Sequence, residues 1–199
     1  MKYESISTRI RRRPFIKVCG QTYTGSVDCA AAYGAEYIGF NFCPGSINFV
    51  SPAHAAGMPS AHVKRVGVFA GQEAEEICRI MQQARLHLAQ LQGEQTPDAA
   101  RRIGSQRVIR TLHVQPGCAV SAVQAEVDAW APFCCGFLVE SADAALVSRL
   151  QFPHPWILSG RAAGDALHGM LNVCHPDGVD IECSVNCAET MARMREMVS

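Results

Sequence analysis

The sequence has no excess of either charge: 18 Lys and Arg balance 18 Asp and Glu in 199 residues. That balance argues against a nucleic-acid partner, which calls for a basic excess or stripe. No apolar run approaches the roughly 18 residues needed to span a bilayer, so no membrane partner is expected. No G-x-G-x-x-G turn follows the first apolar run, as it would in a doubly wound dinucleotide-binding sheet. There are 10 cysteines but no Cys-x-x-Cys, and Cys183 and Cys187 have no second pair at zinc-ribbon spacing. No apolar segment follows Arg11-Arg12-Arg13. Residues 1–13 therefore read as a solvated basic arm and not as a secretory signal. The expectation is a cytoplasmic chain whose reduced thiols are mostly buried as small apolar groups.

What is present is a core. About 48% of residues are hydrophobic and 18% charged, which excludes a disordered chain. From residue 14 short apolar runs alternate with longer helical stretches. The strand candidates are 15–18, 37–42, 65–69, 88–91, 108–112, 136–139, 156–158 and 178–181. They are too apolar to alternate, as in parallel strands covered on both faces. Helical stripes follow at Ile77, Ile80, Met81 and Ala84, and at Val120, Val123, Val127 and Trp130. Shorter ones are Leu146, Val147 and Leu150, then Ala166, Leu167, Met170 and Leu171. Thr96-Pro97 reads as an N-cap with proline at the first helical position. Eight strand–helix units predict an α/β fold, a compact single-domain (β/α)8 TIM barrel over residues 14–199.

In such a barrel the strand C-termini build the site. Those positions hold Cys19, Asn41, Asn48, Gln92, His113, Glu140, Ser159, Gly160, Arg161, Asp180, Glu182 and Ser184. Asp180 and Glu182 share one face of a strand. With Glu140, His113 and Cys19 they raise the alternative of a Zn²⁺ or Mn²⁺ site, although no contiguous motif supports it. No cofactor and no metal is assigned. His54, His62, His87, His154, His168 and His175 fall on helices or outer loops.

The order of motifs carries a resemblance. Phe15-Ile16-Lys17-Val18-Cys19-Gly20 resembles the opening strand of the phosphoribosylanthranilate isomerase family, small barrels of tryptophan biosynthesis. Tyr37–Phe42 with Pro44, Ser46 and Phe49-Val50-Ser51-Pro52 resembles its second strand and loop. Val66–Phe69, Gln90–Glu94 and Gly178–Ile181 continue the match, over roughly residues 14–198.

The resemblance implies an Amadori rearrangement of a small-molecule substrate. An acid opens the ribose ring to a Schiff base, and a base removes the proton from the second sugar carbon. The family's base corresponds to Cys19, which implies a thiol made acidic enough to ionise near neutrality. Its acid, an aspartate, corresponds to Glu140, and its eighth-strand aspartate is kept as Asp180. The remaining rim positions, from Asn41 to Ser184, are assigned to substrate binding.

Other positions depart from the family pattern. Asn48 stands where the family has a carboxylate-binding arginine, Gln92 where it has a histidine, and Glu182 where it has a serine. The glycine loop after the sixth strand is missing. These departures predict weak ancestral activity and an altered, non-phosphorylated substrate. Arg161 on a phosphate or Arg110 on a carboxylate could offset the losses. The alternatives are a genuine phosphoribosylanthranilate isomerase and a non-catalytic ligand- or partner-binding barrel, in either case a monomer or homodimer.

Overall fold

The computed structural model describes residues 13–58, 62–160, 165–182 and 187–198. Eight parallel strands close into a barrel in chain order, with β1 (Phe15–Cys19) hydrogen-bonded to β8 (Gly178–Glu182). Between them run β2 (Tyr37–Asn41), β3 (Lys64–Phe69), β4 (Leu88–Leu91) and β5 (Val108–His113). β6 (Gly136–Glu140) and β7 (Trp156–Ser159) complete the wall. A helix follows every strand: α1 (Thr24–Ala32), α2 (Pro52–Gly57), α3 (Ala74–Gln83), α4 (Pro97–Ile103), α5 (Val120–Trp130), α6 (Ala144–Val147), α7 (Asp165–Cys174) and α8 (Cys187–Met197). No helix among the described residues is long and apolar enough to cross a membrane.

Local chemistry explains the helix starts. Thr96 Oγ1 accepts from Ala99 N at 3.3 Å with Pro97 behind it, the expected cap. Ser51 does the same for α2, whose first residue is Pro52. Ile77, Ile80 and Met81 bury the predicted face of α3. Arg65 on β3 points outward and is only 5% exposed. Its guanidinium donates to the Met58 carbonyl at 2.8 Å and the Ala84 carbonyl at 3.2 Å, at the ends of α2 and α3. It thereby satisfies carbonyls left over at those helix ends.

The barrel interior changes character along its axis. Near the N-terminal end Val66, Ile109, Leu138 and Ile157 cluster, with Phe15, Tyr37 and Leu88 against them. One pleat further up, the inward side chains include Lys17, Gln90 and Thr111, all buried. Gln90 Nε2 donates to Thr111 Oγ1 at 3.2 Å. The strands are therefore largely apolar outside, Arg65 and Arg110 apart, and partly polar inside above the apolar cluster, a distinction that a run of apolar residues does not reveal.

Several strands run one residue beyond their last apolar position. Cys19, His113, Glu140, Ser159 and Glu182 are strand termini, because ladder hydrogen bonds do not require apolar side chains. Of the eight cysteines whose exposure is described, six are not buried; only Cys43 and Cys134 are. The expectation of mostly buried thiols fails because most of these residues lie on helix exteriors and in loops. Residues 1–12 of the basic arm lie outside the described residues, and Arg13 is exposed.

Gly39 makes room for the mouth of the barrel. A Cβ there would overlap Cys19 Sγ and meet the Cys19 backbone Cα at 3.2 Å. Gly39→Ala should cost about 1–3 kcal/mol as an overpacked site. Urea denaturation of the variant checks this: an unchanged midpoint would mean that β1 and β2 have slack at Cys19.

Candidate active site

The inward-facing residue of β1, one pleat below its end, is Lys17. Its ammonium is fully buried and donates to Cys19 Sγ at 2.5 Å and to Asp180 Oδ1 at 2.9 Å. The β1–β8 register dictates this meeting, since Lys17 pairs with Asp180 and Cys19 with Glu182. Cys19 and Lys17 lie two residues apart, hence on one face of the strand.

One cation thus faces two acids. Burial pulls the Lys17 ammonium down, but Asp180 and Cys19 outweigh it and hold it above its ordinary value. Burial first, and then the neighbouring Asp180 charge, push the Cys19 thiol up to about 12, against the pull of Lys17. Burial likewise pushes the Asp180 carboxyl up, and Lys17 opposes it. A thiol pushed up this far rests protonated at neutral pH, against the expectation of a thiol acidified toward neutrality. The physical reason is burial first, and then that Asp180 already takes the one charge Lys17 can balance.

At the opposite wall Glu140 ends β6. Its Oε2 lies 2.9 Å from Nδ1 of His113, its register partner at the end of β5. His113 Nε2 lies 3.0 Å from the Gln92 carbonyl oxygen. The loop after β6 is short: Asp143 caps α6 by accepting from Leu146 N at 2.9 Å, which agrees with the missing glycine loop.

Asn48 is buried and donates from Nδ2 to Glu182 Oε1 at 2.6 Å. The two lie across Gly20, whose φ is +79° and where a Cβ would come within 3.1 Å of Asn48 Nδ2. Two departures from the family pattern therefore engage each other. Asn41 is occupied by its own loop, donating to Ser46 Oγ at 3.0 Å and accepting from Cys43 N at 2.8 Å. Gln92 Nε2 lies 3.5 Å from Cys43 Sγ.

A cavity at the mouth is lined by Cys19, Gly20, Asn41, Val68, Gln90, Gln92, Ser159, Asp180 and Glu182. A larger open groove beside α5 and Arg149 has no comparable convergence of thiol, acid and amine. Gly160 N donates to the Asp180 carbonyl at 2.6 Å. Arg161 and Ser184 lie outside the described residues.

Arg110 does not reach the mouth. It points outward, over the Trp130 ring at 4.4 Å, donating to the Gly93 carbonyl and pairing with Glu126. Strand alternation sends its neighbours Ile109 and Thr111 inward instead. No group of three His, Cys, Asp or Glu among the described residues is arranged to hold a metal ion.

Two residues of this cluster and cavity escape the sequence reading. Lys17 was legible as the residue two before Cys19, on the same face. Gln90 was legible as the residue two before Gln92. Its Oε1 is buried without a hydrogen-bond partner among the described residues.

Iodoacetamide at pH 7.5 should label the exposed Cys78 and Cys118 before Cys19; peptide mapping that finds Cys19 labelled first would contradict the protonated resting thiol. Stability should respond as well. A thiol raised from 9.0 to about 12 stabilises the fold fully below pH 9, and that stability is lost as the pH rises toward 12. Cys19→Ala should therefore lose less stability over that window than the parent, measured by thermal melts at stepped pH.

Residues 16–188 match the model of the N-(5'phosphoribosyl)anthranilate (PRA) isomerase family. The N-(5'-phosphoribosyl)anthranilate isomerase of Desulfovibrio desulfuricans is 40% identical over 183 residues, 87% of each chain. The phosphoribosyl anthranilate isomerase structure from Thermus thermophilus matches with TM-score 0.77 and 27% identity, over 92% of this chain and 99% of that one. Another solved isomerase, in complex with reduced 1-(O-carboxyphenylamino)-1-deoxyribulose 5-phosphate, matches with TM-score 0.73 and 26% identity, over 87% and 89% of the two chains. These matches favour the genuine-isomerase alternative over the altered-substrate expectation. With residues 16–188 matched, and a relative at 40% identity along the same span, the chain belongs to the N-(5'phosphoribosyl)anthranilate isomerase family.

Proposed function

We propose that the protein isomerises N-(5'-phosphoribosyl)anthranilate to 1-(o-carboxyphenylamino)-1-deoxyribulose 5-phosphate, a step of tryptophan biosynthesis. The observation that carries this reading is the buried Lys17–Cys19–Asp180 cluster, set at one mouth of the barrel with Glu140. It supplies a base and an acid without any bound group.

The chemistry needs two proton transfers. Glu140 gives a proton to the ribose ring oxygen. The bond from the first sugar carbon to that oxygen breaks, its electron pair staying on oxygen, and the anthranilate nitrogen forms a Schiff base. Cys19 then takes the proton from the second carbon. The electron pair left behind moves toward the nitrogen and gives the enolamine, which tautomerises to the ketone.

A protonated Cys19 must first lose its own proton. Asp180 is the acceptor within reach, since Lys17 bonds both side chains and holds them together. Thiol with carboxylate, and thiolate with carboxylic acid, carry the same net charge. Lys17 balances either form, so the exchange moves a proton without creating an unpaired buried charge. Gln90 Oε1, otherwise unpartnered among the described residues, is available to a sugar hydroxyl.

The direct test is turnover of the synthetic substrate by the purified protein, followed by loss of anthranilate-type fluorescence. The expected rate is near that of a typical enzyme, about 10 per second. Cys19→Ala and Glu140→Gln should each lower kcat by about 100-fold or more. A wild-type protein without turnover, and without rescue of a tryptophan auxotroph, would overturn the reading.

A further inference from the structure

Gln90 enters the barrel from β4 and is only 3% exposed. Its Nε2 donates to Thr111 Oγ1 of the next strand at 3.2 Å. Its Oε1 is buried with no hydrogen-bond partner among the described residues. A buried carbonyl oxygen left unpaired is costly, and a bound hydroxyl removes that cost. Gln90 lines the cavity at the mouth together with Cys19 and Asp180.

The strand registers place it more closely. Barrels of this kind stack their inward side chains in layers drawn from alternate strands. The eight pairings put Gly39, Gln90, Leu138 and Asp180 in one layer. Gly39 has no side chain, and a Cβ there would overlap Cys19 Sγ. The sulfur thus takes the place that this layer leaves empty, between the strands of Gln90 and Asp180. Gln90 is the neutral polar group facing that place.

We propose that Gln90 Oε1 accepts the hydroxyl of the second sugar carbon and thereby distinguishes substrate from product. This rests on the isomerase reading above. Cys19 takes its proton from that carbon, and the hydroxyl is the oxygen bound directly to it. Substrate, Schiff base and enolamine all carry this oxygen as O–H. Tautomerisation turns it into a ketone, which only accepts. Two acceptors then face each other, and the product loses the contact that held the substrate. An amide oxygen is too weak a base to take the hydroxyl proton, so Gln90 neither gains nor loses one. Thr111 is the positioning residue: it holds Nε2 and so turns Oε1 toward the sugar.

Two ligands that differ at one oxygen test this. One is the ketone product, 1-(o-carboxyphenylamino)-1-deoxyribulose 5-phosphate. The other is its reduced form, with a hydroxyl in place of the ketone, as the epimer of ribose configuration. Titration calorimetry of the purified protein should show the hydroxyl form bound at least about tenfold more tightly. Gln90→Met keeps the reach of the side chain and removes the carboxamide. It should weaken binding of the hydroxyl form by about 10- to 100-fold and of the ketone by less than about threefold. Thr111→Val leaves the carboxamide in place without its anchor and should cut the preference by about 3- to 10-fold. That variant decides the matter alone if Gln90→Met does not fold. Equal losses for both ligands in Gln90→Met, or an unchanged preference in Thr111→Val, overturn the proposal and leave the isomerase reading standing. A wild type that prefers the ketone also overturns it, since Nε2 would then face the sugar. A folded wild type that binds neither ligand takes the isomerase reading down as well.

Discussion

Everything at the mouth of this barrel depends on one ammonium held out of water. An isolated cation inside a protein costs several kcal/mol even after relaxation, so Lys17 persists only because two acids share it. The arrangement is underdetermined in charge: one positive group, two groups able to be negative, and one mobile proton. That deficit keeps a thiol of raised pKa useful. A thiolate beside an ionised Asp180 would need a second cation. Here the same proton can sit on sulfur or on carboxyl, and the field of Lys17 changes little between the two.

The departures from the family pattern look independent when scored one position at a time. In the structure they fall into groups. Asn48 and Glu182 bond to each other above Gly20. Gln92, His113 and Glu140 form a second group running from β4 to β6. Positions in contact are not independent, so counting each as a separate loss of binding double-counts them. This is the physical reason the altered-substrate expectation overreaches.

The barrel itself was legible because parallel strands covered on both faces leave a strong signal of short apolar runs between helical stripes. The runs ended too early at Val18, Leu112, Val139, Leu158 and Ile181, and in each case the next residue is one of the strand ends around the mouth. α1 left little signal, since its buried residues Ser26, Val27 and Ala30 are small or polar. The site was legible as a ring of polar strand ends, and Cys19, Glu140 and Asp180 do face one mouth. Its pairings were not. Asn48 and Glu182 are 134 residues apart, and no local spacing announces such a contact. Arg110 illustrates the converse: its charge was visible, but a shift of one residue in strand phase decides between mouth and exterior.

Closure of the ring by β8 against β1 sets an order on biosynthesis. Lys17 and Asp180 are separated by 163 positions, so a ribosome has made nearly all of the barrel before the anion that matches the first strand's cation exists. Until then β1 carries an edge without a partner and a lysine that has reason to stay wet. The first strand is thus made early but seated late, and its seating brings Cys19, Asp180 and Lys17 together in one event. A chain cut short before β8 can keep much of its wall and still have no reaction centre, so completeness of synthesis and competence for chemistry are inspected by the same pair of strands.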